Sequence, residues 1–330
     1  MTKHTVRPKY SEIVKRFSDL NTIIIGDLMV DKYIWGKGIR LSTEAAVPVI
    51  KVDHEDYSLG GAANIAFHLA NLKAKAYLCG LVGYDDAAHH LRTQISHLGI
   101  DVGGIFPSNF RPTTQKIRIM SVEHSQILGR YDYEKDDPQI IEETAPMIKY
   151  VQSYASDMNL MILSDYGRGV FKSVRFFDAL KKLHQEYNIL TVAQCRTESL
   201  MNFNWVDHLV ISSWRAREYL NRRKIKKIKN IEDIGAKLVH LMPLKYLTIY
   251  DFSERCISIF DTNGKLCATR HFQSQVQDQT GLGDVATVMV ALAFAVGCTP
   301  FEAIELAIKG TRATAQQIGT GKLAPEDLIK

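Results

Sequence analysis

Gln279-Thr280-Gly281-Leu282-Gly283-Asp284 runs straight into the apolar stretch Val285 to Val296, and its residue types are suited to chemistry. Two glycines with one residue between them allow a sharp turn and a close backbone approach to a ligand. The apolar stretch reads as a buried helix, so the turn lies at a helix N-terminus. Unpaired N–H groups and the positive end of the dipole converge there and suit a phosphate or a developing anion. A carboxylate in that turn has two readings. Asp284 caps the helix, or it takes the proton from a hydroxyl about to attack the phosphate.

Three further stretches carry polar groups at comparable places. Asp31 follows Gly26-Asp27 at the end of the first strand, where a carboxylate accepts from sugar hydroxyls or simply favours the turn. Gly60-Gly61-Ala62-Ala63-Asn64 opens the first helix. Asn64 both donates and accepts, as a polyhydroxylated substrate needs, and the alternative is a plain loop-to-helix junction. Ser164-Asp165-Tyr166-Gly167-Arg168-Gly169 follows a buried strand, and Arg168 either offers a fork to phosphate or is a surface arginine. Adjacent His89 and His90 point to different faces of a helix and are read as structural. No H-E-x-x-H, Walker-type P-loop or G-x-S-x-G motif occurs, which removes zincins, P-loop enzymes and α/β-hydrolases by motif.

The elements that must position these groups alternate. Strands are predicted at Thr22–Ile25, Ala76–Leu81, Leu160–Leu163, Ile189–Ala193, His208–Ile211, Tyr246–Ile249 and Cys256–Phe260. Helices are predicted at Ala62–Leu72, Ala87–Leu98, Val174–Glu186, Ile231–Leu241, Val285–Val296 and Phe301–Gln317. Short apolar runs between helical patterns predict an α/β fold, a mostly parallel sheet with helices on both faces. Tyr33 to Val52 and Thr113 to Tyr133 break the alternation and predict a small β lid over the strand C-termini. The chain, 1–330, is read as one domain with that lid.

With 46% hydrophobic and 23% charged residues the chain has the balance of an ordinary globular protein. Its five cysteines are scattered without a C-x-x-C pair, which points to reduced thiols and a cytoplasmic protein. The N-terminus lacks the apolar core of a signal peptide, and Val285 to Val296 is too short to span a bilayer, so no membrane partner is expected. A formal charge of +5 is weak, and the basic run Arg222 to Lys229 has no interleaved aromatics, so it reads as a solvated loop rather than a nucleic-acid surface.

Taken together, Gly60-Gly61…Asn64 and Gly281-Leu282-Gly283-Asp284 resemble, in order and separation, the two signatures of the ribokinase (PfkB-type) carbohydrate kinases. Within that superfamily, Gly26 to Tyr33, Leu41 to Val49, Leu81 to Asp86 and Leu163 to Gly169 look like the D-glycero-D-manno-heptose 7-phosphate kinases. Those enzymes supply ADP-heptose for lipopolysaccharide, often as the first half of a bifunctional protein. The resemblance implies ATP as donor, Mg2+ bridging its phosphates, and a sugar phosphate as acceptor. It implies that Asp31, Gly60, Gly61 and Asn64 hold sugar hydroxyls and that Asp284 is the base. Backbone N–H groups of Leu282, Gly283 and Asp284 would stabilise the transferring phosphoryl group, with Thr280, Gly281 and Gly283 at the nucleotide. Lys116, Arg118 and Arg130 are implied for the sugar's phosphate, or are solvated; Asp165 and Arg168 join them on the ligand edge. No metal ligand is assigned. The resemblance also implies a homodimer through the lid, whose open edges invite pairing. No H-x-G-H motif follows, so a separate nucleotidyltransferase is implied as pathway partner.

The chain departs from that family in its middle. The family's Asp-Pro-Lys is replaced within Ala193-Gln194-Cys195-Arg196, and its Asn-x-x-Glu by Ser213-Trp214-Arg215-Ala216, with Glu218 two residues beyond. Neither glycine of its nucleotide loop occurs in Tyr250 to Cys256, and Leu282 and Val285 replace a small residue and a threonine. Three functions therefore remain open: a sugar-phosphate kinase, a non-catalytic binder of sugar phosphate acting as sensor or partner subunit, and a kinase with a changed donor or sugar.

Overall fold

The computed structural model describes residues 10–124, 126–135, 140–272, 279–317 and 319–329. In chain order the strands are β1 (Asn21–Gly26), β2 (Leu28–Leu41), β3 (Pro48–Gly61), β4 (Lys75–Val82), β5 (Ile105–Pro107), β6 (Thr114–Ser121), β7 (Ile127–Tyr133), β8 (Leu160–Ser164), β9 (Leu190–Gln194), β10 (His208–Ser212), β11 (Tyr246–Asp251), β12 (Cys256–Asp261) and β13 (Leu266–His271). Nine form the main sheet in the order β13-β12-β11-β10-β9-β8-β1-β4-β5. From β11 to β5 every pairing is parallel, while β12 and β13 add an antiparallel edge.

The central strands are mostly apolar because both faces are covered. Ile24, Leu160, Ile162 and Val210 pack into one core with the helices Ala62–Asn71, Leu282–Ala295 and Pro300–Thr314. Their chain neighbours Ile23, Ile25, Met161, Leu163, Leu209 and Ile211 pack into the other, against Val174–Tyr187, Ser213–Arg222 and Ile231–Leu241. That alternation is the period-two pleat of a strand buried on both sides. Helix Leu282–Ala295 is buried from Leu282 to Ala293, as expected of a helix that is apolar all round. No described helix is long and apolar enough to cross a membrane.

The second sheet has the order β3-β2-β6-β7. Strand β2 runs antiparallel to β3 and parallel to β6, and β7 closes antiparallel on β6. This is the expected lid, but its first segment is a hairpin of two strands spanning Leu28–Gly61 rather than Tyr33 to Val52. One residue separates β1 from β2, and β3 passes into helix Ala62–Asn71 with none between. The small sheet thus stands on the C-terminal edge of the large one, the edge on which α/β proteins carry their ligands. The sequence reading had no helix at Ser213–Arg222 or Ile140–Tyr154; the first is too polar to announce an apolar stripe.

Candidate active site

Asp284 lies in the first turn of helix Leu282–Ala295 and is 2% exposed. Gly281 before it has φ +77°, the left-handed region that glycine enters freely, and a Cβ there would lie 2.9 Å from Asn64 Nδ2. A Cβ on Gly283 would lie 2.7 Å from the Tyr250 hydroxyl. Both glycines are therefore demanded by their neighbours, and Gly281 by the turn as well. Leu282 donates its N–H to the Gln279 carbonyl at 3.3 Å, and Thr280 sits half-buried at the entrance.

The Asp284 carboxylate collects donors from three distant parts of the chain. Asn64 Nδ2 donates to Oδ2 at 2.8 Å; the Tyr166 hydroxyl and Gln194 Nε2 each donate to Oδ1 at 2.6 Å. Gln194 is held in turn, its Oε1 accepting from Thr287 at 2.8 Å and its Nε2 also reaching Ser164 Oγ at 2.9 Å. Burial pushes the Asp284 carboxyl above the usual carboxylate range; the three donors pull it back and the Asp31 charge pushes it further up. Helix capping does not account for this arrangement, because Asp284 lies inside the first turn and its partners are side chains from elsewhere. Oδ1 accepts two bonds and Oδ2 one, so Oδ2 retains acceptor capacity. Asn64 is fully buried and its Oδ1 has no protein partner. The two atoms that lack a full complement of partners thus belong to neighbouring side chains.

Asp31 is on β2 and faces Gly60 on β3, where a Cβ would lie 2.5 Å from Asp31 Oδ2; Gly61 ends the strand at φ +57°. Arg118 on β6 donates to Asp31 Oδ1 at 2.5 Å, and both are buried. Burial holds Asp31 above its ordinary value in spite of that cation. The remaining basic residues are also engaged. Lys116 lies 3.4 Å from Asp132 and 3.9 Å from Glu134, Arg130 grips Asp132 at 2.8 and 2.7 Å, and Arg168 reaches Glu134 at 2.7 Å. These four cations are thus not simply solvated; each has a carboxylate.

Asp165 and Arg168 line a cavity of about 730 Å³, with Arg196, Phe177 and Trp205, that contains none of Asp31, Asn64 or Asp284. Asp165 is occupied by the Ser199 hydroxyl and, at 2.7 Å, by Gly167 N–H. From this turn it is Tyr166, which the sequence reading did not single out, that reaches Asp284. Gln194, read as a loss, is a second unforeseen partner. Glu218, two residues beyond Ala216, accepts from Thr197 at 2.7 Å and from Arg222 at 2.5 Å. His90 stacks on Tyr57, centroids 4.4 Å apart.

A family model described as pfkB family carbohydrate kinase matches residues 21–327. Among curated proteins, the bifunctional protein HldE of Geotalea uraniireducens is 27% identical over 98% of this chain, and that of Helicobacter pylori strain P12 is 30% identical over 93%. The chain spans 65% of the length of each. Among solved structures, Arabidopsis thaliana ribokinase complexed with ribose and ATP superposes with a TM-score of 0.69 at 16% identity, covering 94% of this chain and 97% of that one.

Proposed function

The chain belongs to the pfkB family of carbohydrate kinases, and on that premise we propose that it transfers the terminal phosphoryl group of ATP to a hydroxyl of a sugar phosphate, heptose 7-phosphate above others. The observation that carries the reading is the convergence of Asn64, Tyr166 and Gln194 on the buried carboxylate of Asp284. Oδ2 is the atom with room for a substrate hydroxyl. Tyr166 and Gln194 fix the carboxylate's orientation through Oδ1, and burial raises its proton affinity, which suits a general base. Asn64 Oδ1 and the carboxylate of Asp31 would hold further hydroxyls. The N–H groups of Gly283 and Asp284, at the positive end of the helix, would take up charge on the transferring group. The sugar's own phosphate would draw on Lys116, Arg118 and Arg130, with Arg168 at the margin, by exchanging places with the carboxylates that hold those cations.

ATP supplies the phosphoryl group, and Mg2+ would arrive bridging its phosphates. Among the described residues no group of three His, Cys, Asp or Glu is disposed to hold a cation, and Mg2+ carried on the nucleotide's phosphates with its own waters would ask for no more than one or two carboxylates. We further propose that residues 1–330 act as one domain in the cytoplasm and pair as a homodimer through the lid, where Ile39, Leu41, Val52 and Ile127 are exposed.

The test is ADP release from Mg·ATP with D-glycero-D-manno-heptose 7-phosphate by wild type and Asp284→Asn. Turnover lost in the variant supports the reading. A folded wild type that binds the sugar phosphate without turnover favours a non-catalytic binder, the alternative that the altered Ser213 to Ala216 and Tyr250 to Cys256 stretches support. Turnover only with another nucleotide or sugar favours a changed specificity.

A further inference from the structure

Asp27 is the single residue between β1 and β2 and is fully buried, yet the proposed reaction has no use for it. Each of its three polar groups leads to a different one of the donors on Asp284. Its N–H donates to the Ser164 carbonyl at 3.1 Å, and the Ser164 hydroxyl accepts from Gln194 Nε2 at 2.9 Å. Its carbonyl accepts the Ala62 N–H at 3.0 Å, at the start of the helix that carries Asn64. One carboxylate oxygen, Oδ2, accepts the N–H groups of Tyr166 at 2.8 Å and Arg168 at 3.0 Å.

The turn after β8 needs such a clamp. Gly167 and Gly169 both lie in the left-handed region, at φ +72° and +104°, so the backbone on either side of Arg168 is easily redirected. Three consecutive N–H groups there are held by carboxylates: those of Tyr166 and Arg168 by Asp27, and that of Gly167 by Asp165 at 2.7 Å. Arg111 joins the Arg168 carbonyl to Thr114 at the start of β6, so the second root of the lid meets the same turn. Ordinary turn chemistry closes an aspartate on N–H groups a few residues on, whereas these lie 139 and 141 residues away. Asp27 Oδ1 is buried without a partner, a cost that an apolar side chain would not incur.

We propose that Asp27 is a positioning residue, whose carboxylate fixes the Tyr166 backbone so that the phenol meets Asp284 Oδ1 and leaves Oδ2 to the substrate. Asp27 touches no reacting atom in this role and acts through Tyr166. That the aligned carboxylate is a base rests on the kinase reading; the alignment itself does not. Asparagine can do the same work, since one amide oxygen can accept both N–H groups while its NH2 takes the place of the unpartnered Oδ1. Alanine offers neither N–H an acceptor.

Fluorine NMR of the full chain labelled with fluorotyrosine reads the phenol directly, the Tyr166 resonance being the one absent from Tyr166→Phe. Asp27→Asn keeps that resonance near its wild-type position, and Asp27→Ala shifts or broadens it. In ADP release from Mg·ATP with D-glycero-D-manno-heptose 7-phosphate, Asp27→Ala lowers kcat about tenfold or more and moves each KM by less than about twofold. Asp27→Asn recovers most of that loss. Adding Asp27→Ala to Tyr166→Phe costs little beyond Tyr166→Phe alone, because both act on one contact. The proposal is overturned if the resonance in Asp27→Ala stays at its wild-type position, if Asn fares no better than Ala, or if the two losses multiply. Asp27→Ser takes the place of an alanine variant that does not fold; if neither folds, Asp27 holds the fold and not the phenol, and the proposal falls. A displaced resonance in a protein whose wild type shows no turnover sinks the kinase reading and leaves the positioning role standing. Wild-type turnover with an unmoved resonance does the reverse.

Discussion

The two sides of Asp284 are built from different materials. Toward the lid, Asn64, Asp31, Gly60 and Gly61 are small or carboxamide and carboxylate groups on β2, β3 and the helix after them, matching the pattern that the sequence shares with sugar kinases. Toward β9, β10 and β11, the corresponding places hold Gln194, Arg215 and Tyr250, which are a carboxamide, a guanidinium and a phenol where the family has acidic and glycine-rich motifs. One carboxylate is shared by both. A single hydrogen-bonded centre can therefore keep one neighbourhood while the other is rebuilt, provided the rebuilt side still supplies donors to it, as Tyr166 and Gln194 do.

The sharpest way to break this comparison is Asp284→Asn. It leaves both neighbourhoods in place but removes the proposed proton acceptor, and turnover should fall by about 10²- to 10⁴-fold, measured as ADP release. An equal loss in Gln194→Leu and none in Asp284→Asn would reverse the roles assigned to the two sides. Next is the buried pair under the lid. Asp31→Leu strands Arg118 without its partner and should cost about 3–5 kcal/mol in chemical denaturation. A loss below about 1 kcal/mol, the scale of an exposed pair, would mean that water reaches it.

Smaller effects separate strain from contact. Gly281→Ala must force a side chain into a left-handed turn and against Asn64, and about 1–3 kcal/mol of stability should go with it. The last is a pH effect. Burial, with Asp165 close by, pushes Asp27 up to about 6 from 3.8. A carboxyl raised on folding adds stability below its unfolded value, and that contribution is lost as pH rises through the folded one. Asp27→Asn removes the titration, so its unfolding midpoint should gain on wild type between pH 4 and pH 7.5, in thermal melts at both ends. Parallel curves would place Asp27 outside the titration.

Much of the large sheet was legible because a parallel strand buried on both faces must be apolar throughout, as Ile23 to Ile25 and Leu160 to Leu163 are. The antiparallel edge β13 was not, since Leu266 to His271 alternates and exposes half its residues. The lid hairpin was half legible. Its outer part is largely exposed, so apolar and polar residues mix there without a buried face to sort them, and no sequence signal marks where a strand leaves one sheet for another. At the site, Asp284 and Asn64 could be picked out because glycines beside them announce close approach. Tyr166, Gln194 and Tyr250 carry no such mark. They sit just past or within the ends of β8 to β11, and the sheet order that makes them neighbours is a property of the whole chain.

The hairpin β2–β3 is joined to the large sheet by one residue at one end and to helix Ala62–Asn71 by none at the other. A flap needs slack at its root, and this one has almost none. Its fourteen-residue strands are a lever whose short arm carries Asn64, three residues beyond Gly61 and bonded to Asp284. The root of the lid is thus tied by a short covalent path to a side chain that is bonded to that carboxylate.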